Sequence, residues 1–188
     1  MTSDISTADP TFASLGLRPE LLSTLSALGY EEPTPIQAST IPILVSGSDL
    51  LGQAATGTGK TAAFALPILE ALDPQLRGQG PAALILVPTR ELALQVSTAF
   101  HSYGRELGAR LVAIYGGAPA RHQIDALRRG VDVVVATPGR ALDLIARGAL
   151  RLGEVRTVVL DEADEMLEMG FIEDIESILA LTPTERQT

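Results

Sequence analysis

The chain has 188 residues, of which 46% are hydrophobic and 20% charged, as is typical of one soluble globular domain rather than a disordered protein. It contains no cysteine, which excludes a disulfide framework and a thiolate metal site. No basic and apolar leader opens the chain, and its apolar runs are too short to cross a bilayer, so a cytoplasmic protein without a membrane partner is expected.

The net charge of −9 argues at first against binding of a polyanion such as RNA or DNA. The charges are unevenly distributed, however: residues 1–100 hold four basic and nine acidic side chains, 101–156 nine arginines and five acids, and 157–188 one arginine and nine acids. The basic middle block is either a set of solvated helix faces or a phosphate-binding surface. Thirteen of the fourteen basic residues are arginines, and the one lysine is Lys60.

Short apolar runs alternate with helix-like segments along the chain. The strand candidates are residues 49–53, 82–87, 110–115, 132–136 and 156–160. The helix candidates are 34–46, 60–72, 89–107, 119–129 and 138–147, with two shorter helices after residue 161. The strands show almost no polar alternation, which is typical of parallel strands buried between two helical layers. The sequence therefore predicts a three-layer α/β domain whose ligands lie at the carboxyl ends of the strands.

The stretch AATGTGKT, residues 54–61, follows the first strand candidate and precedes a helical segment. The usual phosphate-loop pattern would place a glycine where this chain has Ala54. A strand, a glycine-rich turn and a helix are nevertheless the context that a phosphate loop requires: backbone amides face the phosphates, Lys60 reaches the terminal ones and the Thr61 hydroxyl ligates Mg²⁺. The alternative is a turn with a coincidental Lys-Thr pair, which the position of the sole lysine disfavours.

The string DEAD, residues 161–164, follows the last strand candidate. An acid at the end of a buried strand is the expected partner of a phosphate loop, where Asp161 would hold Mg²⁺ and a neighbouring acid would orient or deprotonate a water. The alternative is an acidic first turn of the next helix, which the helix dipole also favours.

Three other strand ends resemble one another. They carry Pro88-Thr89-Arg90, Gly116-Gly117 and Thr137-Pro138-Gly139-Arg140. Structural capping of the following helices explains the threonines and the second proline. It does not explain an arginine inside two of the caps or the bare glycine pair, and exposed amides with arginines would suit a phosphate backbone.

The string GYEEPTPIQ, residues 29–37, lies before the phosphate-loop strand candidate. Its two prolines fix a rigid turn into a helix, with Gln37 in the first turns. A side-chain amide donates and accepts together, which matches the N6 and N7 edge of adenine.

Together these strings resemble the first RecA-like domain of a DEAD-box ATP-dependent RNA helicase of the bacterial type. In the family's order they are similar to its Q motif, motif I, motif Ia, GG element, motif Ib and motif II. The resemblance covers residues 12–188, leaves 1–11 as a flexible N-terminus, and implies a RecA-like P-loop NTPase fold with a mainly parallel sheet.

The resemblance implies ATP and Mg²⁺ at one site. Phe12 would stack on adenine and Gln37 would read its edge. The phosphates would be held by Ala54, Ala55, Thr56, Gly57, Thr58, Gly59, Lys60 and Thr61. Lys60, Asp161 and Glu162 would be catalytic, with Thr61 and Asp161 at the metal and Glu162 as the base for the attacking water.

It also implies single-stranded RNA as a partner, gripped by its backbone without base reading. The RNA-binding residues would be Pro88, Thr89, Arg90, Gly116, Gly117, Thr137, Pro138, Gly139 and Arg140. Asp164 would link the ATP site to the rest of the enzyme. Helicase action further requires a second, C-terminal RecA-like domain with arginine fingers, which this chain lacks; since a finger is worth ~10³ to 10⁵ in rate, the chain alone is expected to be almost inert.

In the family, residues 185–188 would lie just before a strand with the SAT motif, which stands between the phosphate-loop strand and the DEAD strand. Without that strand, either something else fills the gap, such as a swapped segment, or the order of the strands differs from the family's. Direct pairing of residues 49–53 with 156–160 would indicate a collapsed sheet. The helicase form of the phosphate loop, A-x-T-G-x-G-K-T, also implies that Ala54 needs no positive φ and that Gly57 and Gly59 supply the freedom.

Two other functions remain open at this stage. One is a module that binds ATP or RNA without turnover. The other is a P-loop ATPase that acts on DNA or protein, because a phosphate track does not distinguish RNA from DNA.

Overall fold

The structure, a computed structural model, describes residues 10–55, 57–76 and 78–188. Its helices are α1 (Pro19–Ala27), α2 (Pro35–Val45), α3 (Lys60–Glu70), α4 (Arg90–Tyr103), α5 (Ala120–Arg128), α6 (Pro138–Ala146), α7 (Ala163–Glu168) and α8 (Ile172–Leu179). Its strands are β1 (Ala83–Leu86), β2 (Leu111–Ile114), β3 (Val133–Ala136) and β4 (Thr157–Leu160). Most of the predicted N-terminal segment, residues 1–9, lies outside the described residues, as does Arg77 in the loop after α3.

The four strands form one parallel sheet in the order β2-β3-β1-β4. The predicted three-layer α/β fold is confirmed, because the two faces of the sheet are covered by separate hydrophobic cores. Ile85 belongs to the core that contains Leu66 and Phe100 from α3 and α4. Leu84 belongs to the opposite core, with Leu144 of α6 among its members. Burial on both faces explains why these strands read as continuous apolar runs.

The prediction of a strand over residues 49–53 is wrong. That segment forms no strand, and Leu51 is fully exposed. Direct pairing with β4 is also absent: Gln187 forms a parallel bridge to Thr157 on β4, and the Leu50 amide donates to the Thr188 carbonyl at 3.1 Å. The last two residues therefore stand between β4 and the segment 49–53. A strand needs partners along its length, and the described residues supply only this short contact.

A cleft of about 530 Å³ follows this contact. Its walls include Leu50 and Gly52 on one side, Val159 and Leu160 of β4 on the other, and Phe64 of α3. The cleft reaches the carboxyl end of β4, where Lys60 and Asp161 also line it. The cleft thus separates β4 from the segment 49–53 beside the predicted phosphate site, and the sheet is not collapsed.

The helix α1 and the 3-10 turn Phe12–Leu15 were not predicted from the sequence. Pro19 at the first turn of α1 and the buried pair Leu21 and Leu25, spaced i and i+4, are the signals that mark this helix. The segment is fixed to the end of α3, because the Arg18 guanidinium lies 3.2 Å from the Glu70 carboxylate and the Arg18 amide also donates to it, at 2.6 Å. Within the described part of the chain, no helix is long and apolar enough to span a membrane.

Candidate nucleotide and nucleic-acid site

The carboxyl ends of the four strands lie level at one edge of the sheet. Leu86 of β1 pairs in register with Ala136 of β3 and Leu160 of β4, and Ala136 pairs with Ile114 of β2. The strings that follow these residues therefore emerge side by side. Across the sheet they run in the order glycine pair, TPGR, PTR and DEAD, so three predicted RNA-contact strings are neighbours and the acidic string stands beside the phosphate loop.

The phosphate loop has the backbone that its sequence predicts. Gly57 and Gly59 have φ of 81° and 95°, whereas Ala54 is not among the residues with positive φ, so this prediction is confirmed. Gly59 caps α3, which begins at Lys60. A Cβ at Gly59 would lie 2.4 Å from the Gln37 side-chain nitrogen, so only glycine fits. Thr56, predicted to contact phosphate, lies outside the described residues.

Gln37 is buried and holds the phosphate loop against the start of α2. Its Oε1 accepts a hydrogen bond from the Thr34 amide at 2.9 Å, and its Nε2 donates to the Gly59 carbonyl at 3.2 Å. Both ends of the amide are thus engaged within the protein, and its exposed fraction is 1%. Gln37 is close to the phosphate loop, as the sequence predicts, but it would have to exchange a partner to bind a base.

Lys60 and Glu162 form an ion pair across the site. The Lys60 Nζ donates to Glu162 Oε1 at 2.7 Å, and both side chains are about three-quarters buried. Glu162 is the one non-glycine residue of the described chain with positive φ, at 53°. Such a conformation stores strain and occurs often at functional sites. The structure therefore brings together two of the three predicted catalytic residues.

Asp161 is the third predicted catalytic residue. Its backbone amide donates a hydrogen bond to the Leu86 carbonyl at 3.0 Å, which holds it at the end of β4. Burial, with a smaller contribution from the charge of Glu162, raises the pKa of the Asp161 carboxyl, and Lys60 offsets part of this effect. Burial disfavours the charged form of this carboxyl, and a metal ion bound to it would favour that form. Asp161 and the half-buried Thr61 could thus contribute oxygen ligands to Mg²⁺, which usually takes few from protein. Asp164 is exposed, and its carboxylate accepts from the Glu165 amide.

The three neighbouring strand ends differ in what they expose. Gly116, Gly117 and Gly139 are exposed, as is Arg90. The two prolines of these strings are buried, and their predicted contact with RNA stays a prediction. The Thr89 hydroxyl accepts from the Leu92 amide at 3.2 Å and is a helix cap, whereas Thr137 makes no side-chain cap bond.

The arginines at these ends also differ. The Arg90 guanidinium lies 4.9 Å above the centre of the Tyr115 ring and is exposed. The Arg140 side chain is only 14% exposed and donates to the Ala118 carbonyl at 3.1 Å and to the side chain of Gln123 at 3.2 Å. Sequence reasoning missed Tyr115 and Gln123, because neither lies in a recognised motif.

Phe12 is 6% exposed and lies edge-on to Tyr30, with 6.2 Å between ring centres. Tyr30 in turn contacts Tyr103 through a hydroxyl hydrogen bond of 2.8 Å. Phe12 therefore belongs to an aromatic group that links the N-terminal segment to α4. Stacking of its ring on adenine stays a prediction.

Fold and site together define a phosphate-loop α/β domain of the RecA-like type. A family model described as DEAD/DEAH box helicase matches residues 34–188. The chain is 53% identical over 181 residues to the ATP-dependent RNA helicase DeaD of Escherichia coli K12, and 53% identical over 178 residues to the DEAD-box ATP-dependent RNA helicase CshA of Geobacillus kaustophilus. The chain belongs to the DEAD/DEAH box helicase family.

A crystal structure of a DEAD box protein from Methanococcus jannaschii has the same fold, with a TM-score of 0.88 and 43% identity over 94% of this chain and 48% of that one. The match to the E. coli relative covers 96% of this chain but only 28% of that protein. The match to the Geobacillus relative covers 95% of this chain and 38% of that protein. It corresponds to one part of these longer helicases.

The close approach of Gly59 to Gln37 gives a test of the loop geometry. Gly59→Ala should destabilise the chain by roughly 2 kcal/mol more than Gly57→Ala, because only the former adds a clash with a buried side chain. Both variants place alanine at positive φ, which costs about 1–2 kcal/mol, so Gly57→Ala is the matched control. Urea unfolding measures the two free energies. Equal losses would contradict the contact between Gly59 and Gln37.

The raised pKa of Asp161 predicts a pH-dependent gain of stability in Asp161→Asn. The folded state binds the Asp161 proton more tightly than the unfolded chain does. The stability that this proton contributes is therefore complete below the unfolded pKa, about 3.9, and is lost as the pH rises through the folded pKa. Without metal or nucleotide, Asp161→Asn should therefore have the larger free energy of unfolding at pH 7, and the difference from the parent should shrink towards pH 4. Urea unfolding at both values measures it; a difference that grows at low pH would oppose the assignment.

Proposed function

We propose that the chain is the ATP- and RNA-binding part of an ATP-dependent RNA helicase, in which ATP binding and hydrolysis drive local unwinding of an RNA duplex. The observation that supports this most directly is the level edge of the sheet, where a phosphate loop and an acidic string lie beside three strand ends that expose Gly116, Gly117, Gly139 and Arg90. Membership of the DEAD/DEAH box helicase family supports the same function. Hydrolysis and unwinding belong to the longer protein, in which a second RecA-like domain would supply arginine fingers.

In this proposal the triphosphate lies on the amides of Gly57 to Thr61 at the start of α3. Lys60 leaves its ion pair with Glu162 and binds the terminal phosphates, because a phosphate oxygen offers the same charge-assisted hydrogen bond. Release of Glu162 leaves a carboxylate free at the site, where it would orient the attacking water and accept its proton. Thr61 and Asp161 would hold Mg²⁺, whose charge neutralises the phosphates when bound.

Base recognition would use Gln37 and Phe12. The Gln37 amide can pair with the N6 and N7 edge of adenine only if its Nε2 or Oε1 leaves its present partner. Because one of these partners is the Gly59 carbonyl, binding of the base would be linked to the conformation of the phosphate loop. Asp164, which is exposed beside this site, would carry the effect of the nucleotide to the second domain.

The RNA backbone would lie across the ends of β2, β3 and β1. The exposed amides of the glycine pair and of Gly139, together with Arg90, would contact phosphates without reading bases. Adjacent strands are about 4.8 Å apart, so three strand ends span a distance suited to two successive phosphates. A module that binds ATP or RNA without turnover is the alternative for the chain in isolation, since the chain spans only 28% and 38% of the two helicase relatives.

The nucleotide site is tested by removing its only lysine. Lys60→Ala should abolish measurable ATP binding, because no other cation of the site replaces the ammonium. Arg156→Ala is the matched control: it removes one positive charge at the exposed amino end of β4, at the opposite edge of the sheet. Equilibrium titration with a fluorescent ATP analogue gives both affinities. ATP binding retained in Lys60→Ala would end the phosphate-loop assignment.

The nucleic-acid track is the surface formed by the glycine pair, Gly139 and Arg90 at the ends of β2, β3 and β1. It is tested by the salt dependence of RNA binding. The slope of log affinity against log salt is about 0.7 for each phosphate neutralised on a single strand, so Arg90→Ala should lower the slope by about that amount. Arg151→Ala, an exposed arginine in the loop before β4, should leave the slope unchanged. Fluorescence anisotropy with an oligouridylate measures both. A parent chain with a flat salt response would argue against the track.

A further inference from the structure

Gln123 is a buried polar residue that no motif of the sequence includes. It lies on α5 and is 6% exposed. Its Nε2 donates to the Tyr115 carbonyl at 3.1 Å, and its Oε1 accepts from Arg140 Nη1 at 3.2 Å. Burial of an amide is costly unless both ends are bonded, and an apolar side chain would fill the same space without that requirement. The two hydrogen bonds therefore point to a role for Gln123 beyond packing.

Its partners enclose the loop Tyr115–Ala118, called the glycine loop below. Tyr115 is bonded through its carbonyl to Gln123, and the Ala118 carbonyl accepts from Arg140 at 3.1 Å. Gln123 and Arg140, joined to each other, thus hold both ends of the loop. The Arg140 guanidinium also lies 3.6 Å from the Asp143 carboxylate, which fixes it from the other side.

The two glycines at the centre of the glycine loop have no packing around them, whereas Tyr115 packs against the core that contains Ile85. Gly116 and Gly117 are exposed, and a Cβ added at either would meet no atom within 4 Å. Two successive glycines without side-chain packing have a large conformational freedom, so the position of their amides depends on the two anchored carbonyls. The Tyr115 ring also lies beneath the Arg90 guanidinium, and a shift of the loop would move that arginine too.

We infer that Gln123 is a positioning residue for the nucleic-acid track: with Arg140 it fixes the glycine loop, so that the loop amides and Arg90 face successive phosphates. The inference rests on the proposed function, because it assigns Gln123 to the same surface. It also changes the role of Arg140, whose guanidinium is engaged by the protein and acts through the loop rather than on a phosphate. Gln123 itself touches no nucleic acid.

The first test concerns the loop and needs no RNA. Gln123→Met keeps the length of the side chain and removes both hydrogen bonds. It should increase the hydrogen exchange of the Gly117 and Ala118 amides, measured by NMR, while amides of β1 and β3 stay protected. His122→Ala, an exposed change on the same helix, is the control and should have no effect. An unchanged loop in Gln123→Met would overturn the inference, whatever the outcome of the RNA measurements.

The second test is a double-mutant cycle on binding of a single-stranded oligouridylate. The affinity should fall about tenfold in Gln123→Met, as expected for the loss of two hydrogen bonds, and ATP affinity should stay unchanged. Arg140→Ala should cause a similar loss, and the double variant should lose little more than either single variant, because both act through one loop.

The outcomes separate the two proposals. A parent chain without salt-dependent RNA binding contradicts the proposed function, and hydrogen exchange then decides the role of Gln123 alone. Additive losses of RNA affinity in the double-mutant cycle, or full RNA affinity in Gln123→Met, overturn the inference about Gln123. Neither result contradicts the proposed nucleic-acid track. Equal losses of RNA and ATP affinity would mean general destabilisation and would also overturn it.

Discussion

The parallel register of the four strands is the constraint on which the site depends. Because Leu86, Ala136, Ile114 and Leu160 are level, four segments far apart in the sequence leave the sheet at one edge. Successive residues of β1 alternate between the two cores, and this helps to fix the register: a slip of one residue would turn Ile85 into the core of Leu84 and exchange the residues that face each helical layer. Packing of the buried strands thus fixes the distances between the exposed segments that follow their carboxyl ends.

Electrostatics explains how an acidic chain can hold a polyanion. The net charge is −9, but the acids concentrate after residue 156, and two of them, Asp161 and Glu162, lie close to the single lysine at the end of β4. In the structure Lys60 pairs with Glu162, and the second acid, Asp161, is buried beside them, so two carboxyl groups share one ammonium group. A triphosphate alone would meet repulsion there. A triphosphate with a divalent cation brings the charge that the acids lack, which is why the proposed function couples the two.

Sequence reasoning predicted the features that depend on local pattern and failed where distant contacts decide. Continuous apolar runs marked β1 to β4, and the threonine and proline signals marked the starts of α2, α4 and α6. The same apolar pattern suggested a strand over 49–53, but its partner there is the two-residue contact at Gln187 and Thr188. The Arg18–Glu70 pair, the burial of Phe12 and the bonds of Gln123 join residues far apart in the chain, and no local pattern announces them. For the candidate site, the motifs predicted that Lys60, Asp161 and Glu162 come together; they did not predict that Gln37 and Arg140 would already be engaged.

These engaged residues explain how one edge of a rigid sheet can respond to a ligand. Gln37 donates to the Gly59 carbonyl, and Lys60, the next residue, is paired with Glu162, so the start of α3 is fixed from two sides. In the proposed function, a ligand that takes one of these partners would release the start of α3 on one of its two sides. The glycines on either side of Thr58 allow that turn to move, whereas the buried strand β4 keeps Asp161 in place. Recognition of the base and alignment of the phosphates would then be coupled. Gln37 bonds the Gly59 carbonyl, and the proposed phosphate-binding amides belong to the same turn of the backbone.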